Sequence, residues 1–195
     1  MALAFVFPGQ GSQYVGMGVG LAEADPAAAG LMREADAVLG FPLSKLMAEG
    51  PEEELRRTVN TQPAIVTASV AAARRLTAAG VRPDYAAGHS LGEYSALVAV
   101  GALAFPDALR LVRRRAEAME AAVPQGRGGM AAVLGLATEE VRQAVESVAA
   151  AGRGTIEIAN YNCPGQVVLS GEGEALRLAG EECLRRGAAK VVPLA

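Results

Sequence analysis

Apolar positions along this chain switch between two spacings. Leu3-Ala4-Phe5-Val6-Phe7 is a continuous apolar run of strand length, and Pro8-Gly9-Gln10-Gly11-Ser12-Gln13 behind it sustains neither period. Helical spacing follows over residues 27–39, 43–49 and 62–79, with Pro63 suited to a first turn and Gly80 to a C-terminal stop. A short run, Tyr85-Ala86-Ala87, then leads through Gly88-His89-Ser90-Leu91-Gly92 into helical patterns over 93–100 and 106–122. Strand–helix alternation of this kind predicts an α/β layer with mostly parallel strands.

From Gly128 the texture changes. Residues 130–134, 155–160, 166–170 and 188–194 read as strands, and 138–150 and 172–186 as helices. Their order, β-α-β-β-α-β, is that of the ferredoxin-like split unit. Pro124-Gln125-Gly126-Arg127-Gly128-Gly129 reads as a linker, so the expected domains are 1–124 and 125–195. The second unit is complete in itself. The first has two or three strands, a thin sheet with open edges.

The chain has 195 residues, with hydrophobic residues at 51%, charged residues at 20% and no Trp, so a disordered or fibrous chain is excluded and close Ala/Val-mediated packing is favoured. A net charge of -3, with the arginines spread among acids, argues against nucleic acid. No apolar run approaches the roughly 18 residues of a membrane span. The chain opens directly on a strand with no charged leader, and Cys163 and Cys183 form neither a metal spacing nor a disulfide framework. The expectation is a cytoplasmic protein without a metal, both cysteines being inert small residues.

Gly88-His89-Ser90-Leu91-Gly92 carries the chemistry. It is a G-x-S-x-G pattern in a strand–turn–helix setting, a nucleophile elbow. Small residues at Gly88 and Gly92 let the flanking backbones pass, and Ser90 stands at a helix N-terminus that favours developing negative charge. Leu91, the residue after the nucleophile, is where such an elbow supplies an oxyanion-hole N–H. His89 is the only His in the chain. Adjacent side chains in an elbow point apart, so it reads as a structural or pocket residue and not as the base.

Arg115 stands out on a helical wheel of residues 106–122, turned by about 100° per residue. Arg110, Arg113, Arg114, Glu117 and Glu120 share one arc, a solvated face. Leu109, Leu111, Val112, Ala116, Ala118, Met119 and Ala122 share the other, and Arg115 falls inside it, one turn from Leu111 and Met119. A guanidinium on an apolar face needs a partner. An internal salt bridge or backbone contact is one choice, an anionic ligand the other.

Phe7-Pro8-Gly9-Gln10-Gly11-Ser12-Gln13 taken with Gly88-His89-Ser90-Leu91-Gly92-Glu93-Tyr94-Ser95-Ala96 strongly resembles the malonyl-CoA:acyl carrier protein transacylases of bacterial fatty acid synthesis. Asn60-Thr61-Gln62-Pro63-Ala64, Arg115 and Asn160-Tyr161-Asn162-Cys163-Pro164-Gly165-Gln166 add to the resemblance, which covers the whole chain. It implies an α/β-hydrolase-like large domain, incomplete here, with a ferredoxin-like insert. It further implies a malonyl-serine intermediate on Ser90, formed from malonyl-CoA and passed to the phosphopantetheine thiol of acyl carrier protein, with no cofactor beyond the coenzyme A thioester. Leu91 and Gln10 would give the oxyanion-hole N–H groups, and Arg115 would hold the malonyl carboxylate. Asn160 and Asn162, between two strands, would line the substrate cleft, although turn-forming Asn explains them equally. The family's general base, a His, would follow Ala195, so the 195-residue chain alone is expected to lack turnover. A serine esterase or thioesterase, an acyltransferase domain of a polyketide or fatty acid megasynthase, and a non-catalytic carrier-protein-binding fragment are the alternatives.

Overall fold

The structure is a computed structural model and describes residues 2–122 and 127–194. The chain divides into two compact units, Met1–Ala122 and Val123–Ala195. Of the expected linker, Pro124, Gln125 and Gly126 lie outside the described residues.

In the first unit, β1 (Ala4–Phe7) pairs in parallel with β2 (Tyr85–Gly88), Phe5 opposite Ala86 and Phe7 opposite Gly88. Alternation along β1 sends Phe5 and Phe7 inward and leaves Val6 76% exposed. Phe7 packs against Ala73 and Ala96, so helices cover this one face. The helices are α1 (Val19–Ala24), α2 (Pro26–Leu39), α3 (Leu43–Glu49), α4 (Glu52–Arg56), α5 (Thr58–Ala78), α6 (Gly92–Ala99) and α7 (Phe105–Ala122). The core lies between them, built on Leu31, Leu43, Leu55, Ile65, Val66, Leu91, Phe105, Leu109 and Val112. Asp25 caps α2, its carboxylate accepting from the Ala27 N–H at 2.9 Å, and Pro26 takes the first helical position. The short helices α1 and α4 were not expected, because six and five residues are too few for a periodic signal.

Helix α5 corrects the reading of Pro63. The helix begins at Thr58, so Pro63 lies inside it rather than in its first turn. A proline there cannot donate to the carbonyl four residues back, which is that of Val59. Arg113 of α7 supplies the missing donor, its Nη1 lying 3.0 Å from the Val59 oxygen and 3.3 Å from Asn60 Oδ1. Glu120 accepts from the Val59 N–H at 3.3 Å, and the Arg113 guanidinium covers the Phe41 ring at 5.4 Å. Arg113 and Glu120 therefore dock two helices, where the wheel placed them on a solvated face.

The second unit orders β3 (Gly128–Leu134), α8 (Thr138–Ala150), β4 (Ile156–Cys163), β5 (Gln166–Glu172), α9 (Gly173–Arg185) and β6 (Lys190–Leu194). Its sheet runs β4-β5-β3-β6, antiparallel between all neighbours. Each strand–helix–strand connection thus skips one strand. Val141, Ala144, Val145 and Val148 of α8 and Ala175, Ala179 and Cys183 of α9 face Val133, Ile156, Val167 and Leu169 of the sheet. Burial pushes the Cys183 thiol up to about 11.

Candidate active site

The turn between β2 and α6 is built as the sequence pattern requires. Ser90 has φ of +56°, the only positive value at a non-glycine among the described residues. A Cβ on Gly88 would lie 2.0 Å from the Gly92 carbonyl carbon, and one on Gly92 would lie 2.4 Å from the Phe7 oxygen. Both positions admit only hydrogen, so the strand passes the helix and β1 reaches the elbow at van der Waals distance. The His89 N–H donates to that Phe7 oxygen at 3.0 Å, closing the end of the sheet.

The loop after β1 sits against the same turn. A Cβ on Gly9 would lie 2.6 Å from His89 Nδ1 and 2.9 Å from the His89 oxygen. Next to it, the Gln10 side chain donates from Nε2 to Thr58 Oγ1 at 3.3 Å, so the amide is turned to α5. Ser12 Oγ donates to the Gly9 oxygen at 2.9 Å, and the Gly11 N–H donates to Gln13 Oε1 at 2.8 Å. Leu91 opens α6 with its side chain fully buried in the core. Its role in a site is therefore confined to its backbone.

Arg115 meets Ser90 directly. Its Nη2 donates to Ser90 Oγ at 2.9 Å, and its Nη1 donates to Gln62 Oε1 at 2.9 Å. Both of these partners are neutral side chains, so neither contact is the internal salt bridge or backbone contact that the sequence offered as one choice. The helix face also differs from the wheel. Phe105, Ala108, Leu109, Val112 and Ala116 are buried, whereas Leu111 is 47% and Met119 41% exposed, so Arg115 lies on the rim of the buried arc. A guanidinium only donates. The hydrogen bond to Ser90 leaves the hydroxyl proton without an acceptor in that contact.

Sequence reasoning missed Gln62 as a site residue. It is fully buried on α5, 53 positions from Arg115, with Nε2 3.3 Å from Met119 Sδ. A Gln at the head of the apolar run Pro63-Ala64-Ile65-Val66 was the available signal. Asn160 and Asn162 are also placed differently from expectation. They lie within β4 rather than between strands, because β4 continues to Cys163 through two register shifts, with Asn160 opposite Val168.

Two cavities of the first unit lie away from this site. One of about 340 Å³ is lined by Met17, Met32 and Met47 among others, and one of about 400 Å³ by Val70, Arg74 and Arg82 among others. Neither includes Ser90 or Arg115. Among the described residues no group of His, Cys, Asp and Glu is placed to hold a metal ion, and no helix is long and apolar enough to cross a membrane.

The malonyl CoA-acyl carrier protein transacylase of Bacillus subtilis (strain 168) is 50% identical over 192 residues, covering 98% of this chain and 60% of the relative. The solved acyl-carrier-protein S-malonyltransferase of Burkholderia pseudomallei 1710b superposes with a TM-score of 0.90 at 48% identity, covering all of this chain and 62% of that one. A malonyl-transacylase solved in complex with a type II PKS acyl-carrier protein superposes at 0.92 with 46% identity, covering all of this chain and 63% of that one. The chain thus spans about 60% of the length of the curated relatives it matches. The family model described as the acyl transferase domain matches residues 4–194, nearly the whole chain. With a strained serine at a strand–helix turn and that match, the chain belongs to the acyl transferase domain family.

Proposed function

We propose that this chain carries the serine nucleophile and carboxylate clamp of a malonyl-CoA:acyl carrier protein transacylase, a cytoplasmic enzyme of fatty acid biosynthesis. The observation that supports it most is the pairing of a positive-φ Ser90 with a guanidinium nitrogen 2.9 Å from its Oγ. Ser90 Oγ attacks the thioester carbonyl of malonyl-CoA and gives up its proton, and coenzyme A leaves as the thiol. The phosphopantetheine thiol of acyl carrier protein then attacks the malonyl-serine ester and restores the hydroxyl. Two bulky thiols never share the site, which is the advantage of a covalent route. The backbone N–H groups of Leu91 and Gln10 would stabilise each oxyanion, each donor worth ~3 kcal/mol.

Arg115 suits an acyl group ending in a carboxylate, which a planar fork holds by two parallel hydrogen bonds. A simple esterase has no use for such a clamp. His89 supports the loop of Gln10 at the edge of the substrate site, and Asn160 and Asn162 enter the proposal on the family resemblance alone. The first unit is read as α/β-hydrolase-like, from its parallel strand pair and elbow. The second is read as ferredoxin-like, from its strand order and skipped-strand crossovers. On the family resemblance, the proton acceptor for Ser90 is a His other than His89.

The test is intact-mass analysis of the complete protein after exposure to malonyl-CoA. One malonyl adduct is expected, absent from Ser90→Ala. An adduct that survives the substitution removes Ser90 as nucleophile.

A further inference from the structure

Gln62 is fully buried and polar, and its two amide ends meet different neighbours. Arg115 Nη1 can only donate, so the carbonyl Oε1 must face it, at 2.9 Å. Nε2 is left facing Met119 Sδ at 3.3 Å, and a thioether can only accept. The amide therefore has one satisfied orientation. Its carbonyl fixes one arm of the guanidinium while the other arm rests on Ser90 Oγ at 2.9 Å. Among the described residues these contacts use two of the five N–H donors of an arginine, and three remain for an incoming anion.

We propose that Gln62 is the positioning residue that sets the selectivity of the site for acyl groups ending in a carboxylate. It holds the Arg115 guanidinium beside Ser90 through a neutral amide whose orientation Met119 fixes. This rests on the reading of Arg115 as the partner of the acyl carboxylate. Neutrality is the essential property. A carboxylate at position 62 would pair with the guanidinium and oppose a second carboxylate, whereas an apolar residue would release the arm to swing away from Ser90. A neutral acceptor aligns the charge without neutralising it.

Binding of malonyl-CoA and acetyl-CoA to the full chain is measured by calorimetry in a Ser90→Ala background. That background prevents acyl transfer and leaves Gln62 as the remaining anchor of Arg115. The preference for malonyl-CoA should fall by about tenfold in Gln62→Leu and at least as far in the isosteric Gln62→Glu, with acetyl-CoA unaffected. Met119→Leu, which lets the amide turn over, should lose a smaller part. Should Gln62→Leu fail to fold, Gln62→Glu carries the comparison. Equal weakening of both thioesters would reduce Gln62 to a packing residue and overturn the proposal. If Arg115→Ala abolishes the preference while both Gln62 variants keep it, the proposal fails and the clamp stands. If Arg115→Ala leaves the preference intact, or the chain never prefers malonyl-CoA, the clamp itself is wrong and the role of Gln62 falls with it.

Discussion

At the scale of single residues, the elbow was legible because its causes are local. Ser90 takes a left-handed conformation within a five-residue pattern, and Gly88 is confined by the Gly92 and Glu93 backbone a few positions on; only Gly92 answers to a distant segment, the Phe7 and Pro8 backbone. Arg115 was legible as an anomaly, a charge among apolar positions, but its partners were not. Gln62 and Ser90 are 53 and 25 positions away, and nothing in the spacing of either announces the meeting. The glycine argument makes a sharp prediction. Gly88→Ala should remove the acyl-enzyme and lower the melting temperature, because its Cβ would sit 2.0–2.2 Å from Gly92 and Glu93 backbone atoms that cannot rotate aside. Gly20→Ala is the control. That glycine lies in α1 with nothing within 4 Å of the added carbon, so the change should stabilise by roughly 0.5–1 kcal/mol and leave the adduct intact. An acyl-enzyme formed normally by Gly88→Ala would mean that the elbow relaxes more readily than its contacts allow.

Among elements, periodicity found the long helices and lost their ends. It read α5 from Gln62, because Thr58–Thr61 are polar or β-branched, yet Asn60 and Thr61 are buried there by bonds to other segments. Asn60 Nδ2 donates to the Glu54 oxygen at 2.8 Å, and Thr61 Oγ1 donates to the Leu55 oxygen at 2.6 Å. The proline within α5 is tolerated because α7 reaches across to the Val59 carbonyl. That compensation is measurable as a double-mutant cycle. Arg113→Met alone leaves the carbonyl without its donor and should cost about 1–3 kcal/mol in chemical denaturation. Pro63→Ala restores an N–H within the helix, so the same Arg113→Met change in its presence should cost less than about 1 kcal/mol. Strict additivity would show that the Arg113 bond to Val59 is not what sustains the proline. Because α5 and α7 also carry Gln62 and Arg115, the cycle doubles as a measure of how firmly the hydrogen bond between those two side chains is founded.

At the scale of the whole molecule, the change of texture near Gly128 marks a physical division. Among the described residues, Val133, Val167, Leu169, Ala179 and Cys183 share one core in the second unit, and the buried clusters of the first run from Phe7 to Val112. The order of elements in the second unit was readable because each carries its own period, whereas the two-stranded sheet of the first could be recognised only as thin. A core closed within one unit predicts autonomous folding. Residues 127–195 expressed alone should unfold in one cooperative transition, although a domain of this size buries only about 60% of its unfolded surface and stands near the limit of stability. Cys183 offers the readout. It is fully buried against the sheet, while Cys163 at the end of β4 is exposed. A thiol reagent near neutral pH should label Cys163 at once and Cys183 only on unfolding. Burial raises the Cys183 thiol from its ordinary 9.0 to about 11, so the folded state holds its proton longer than the unfolded state does. This contribution to stability is complete below about pH 9 and is lost as the pH rises through about 11. Protection of Cys183 in the isolated unit should weaken across that window and not at lower pH. Equal labelling of the two cysteines at neutral pH would show that the second unit depends on the first for its fold.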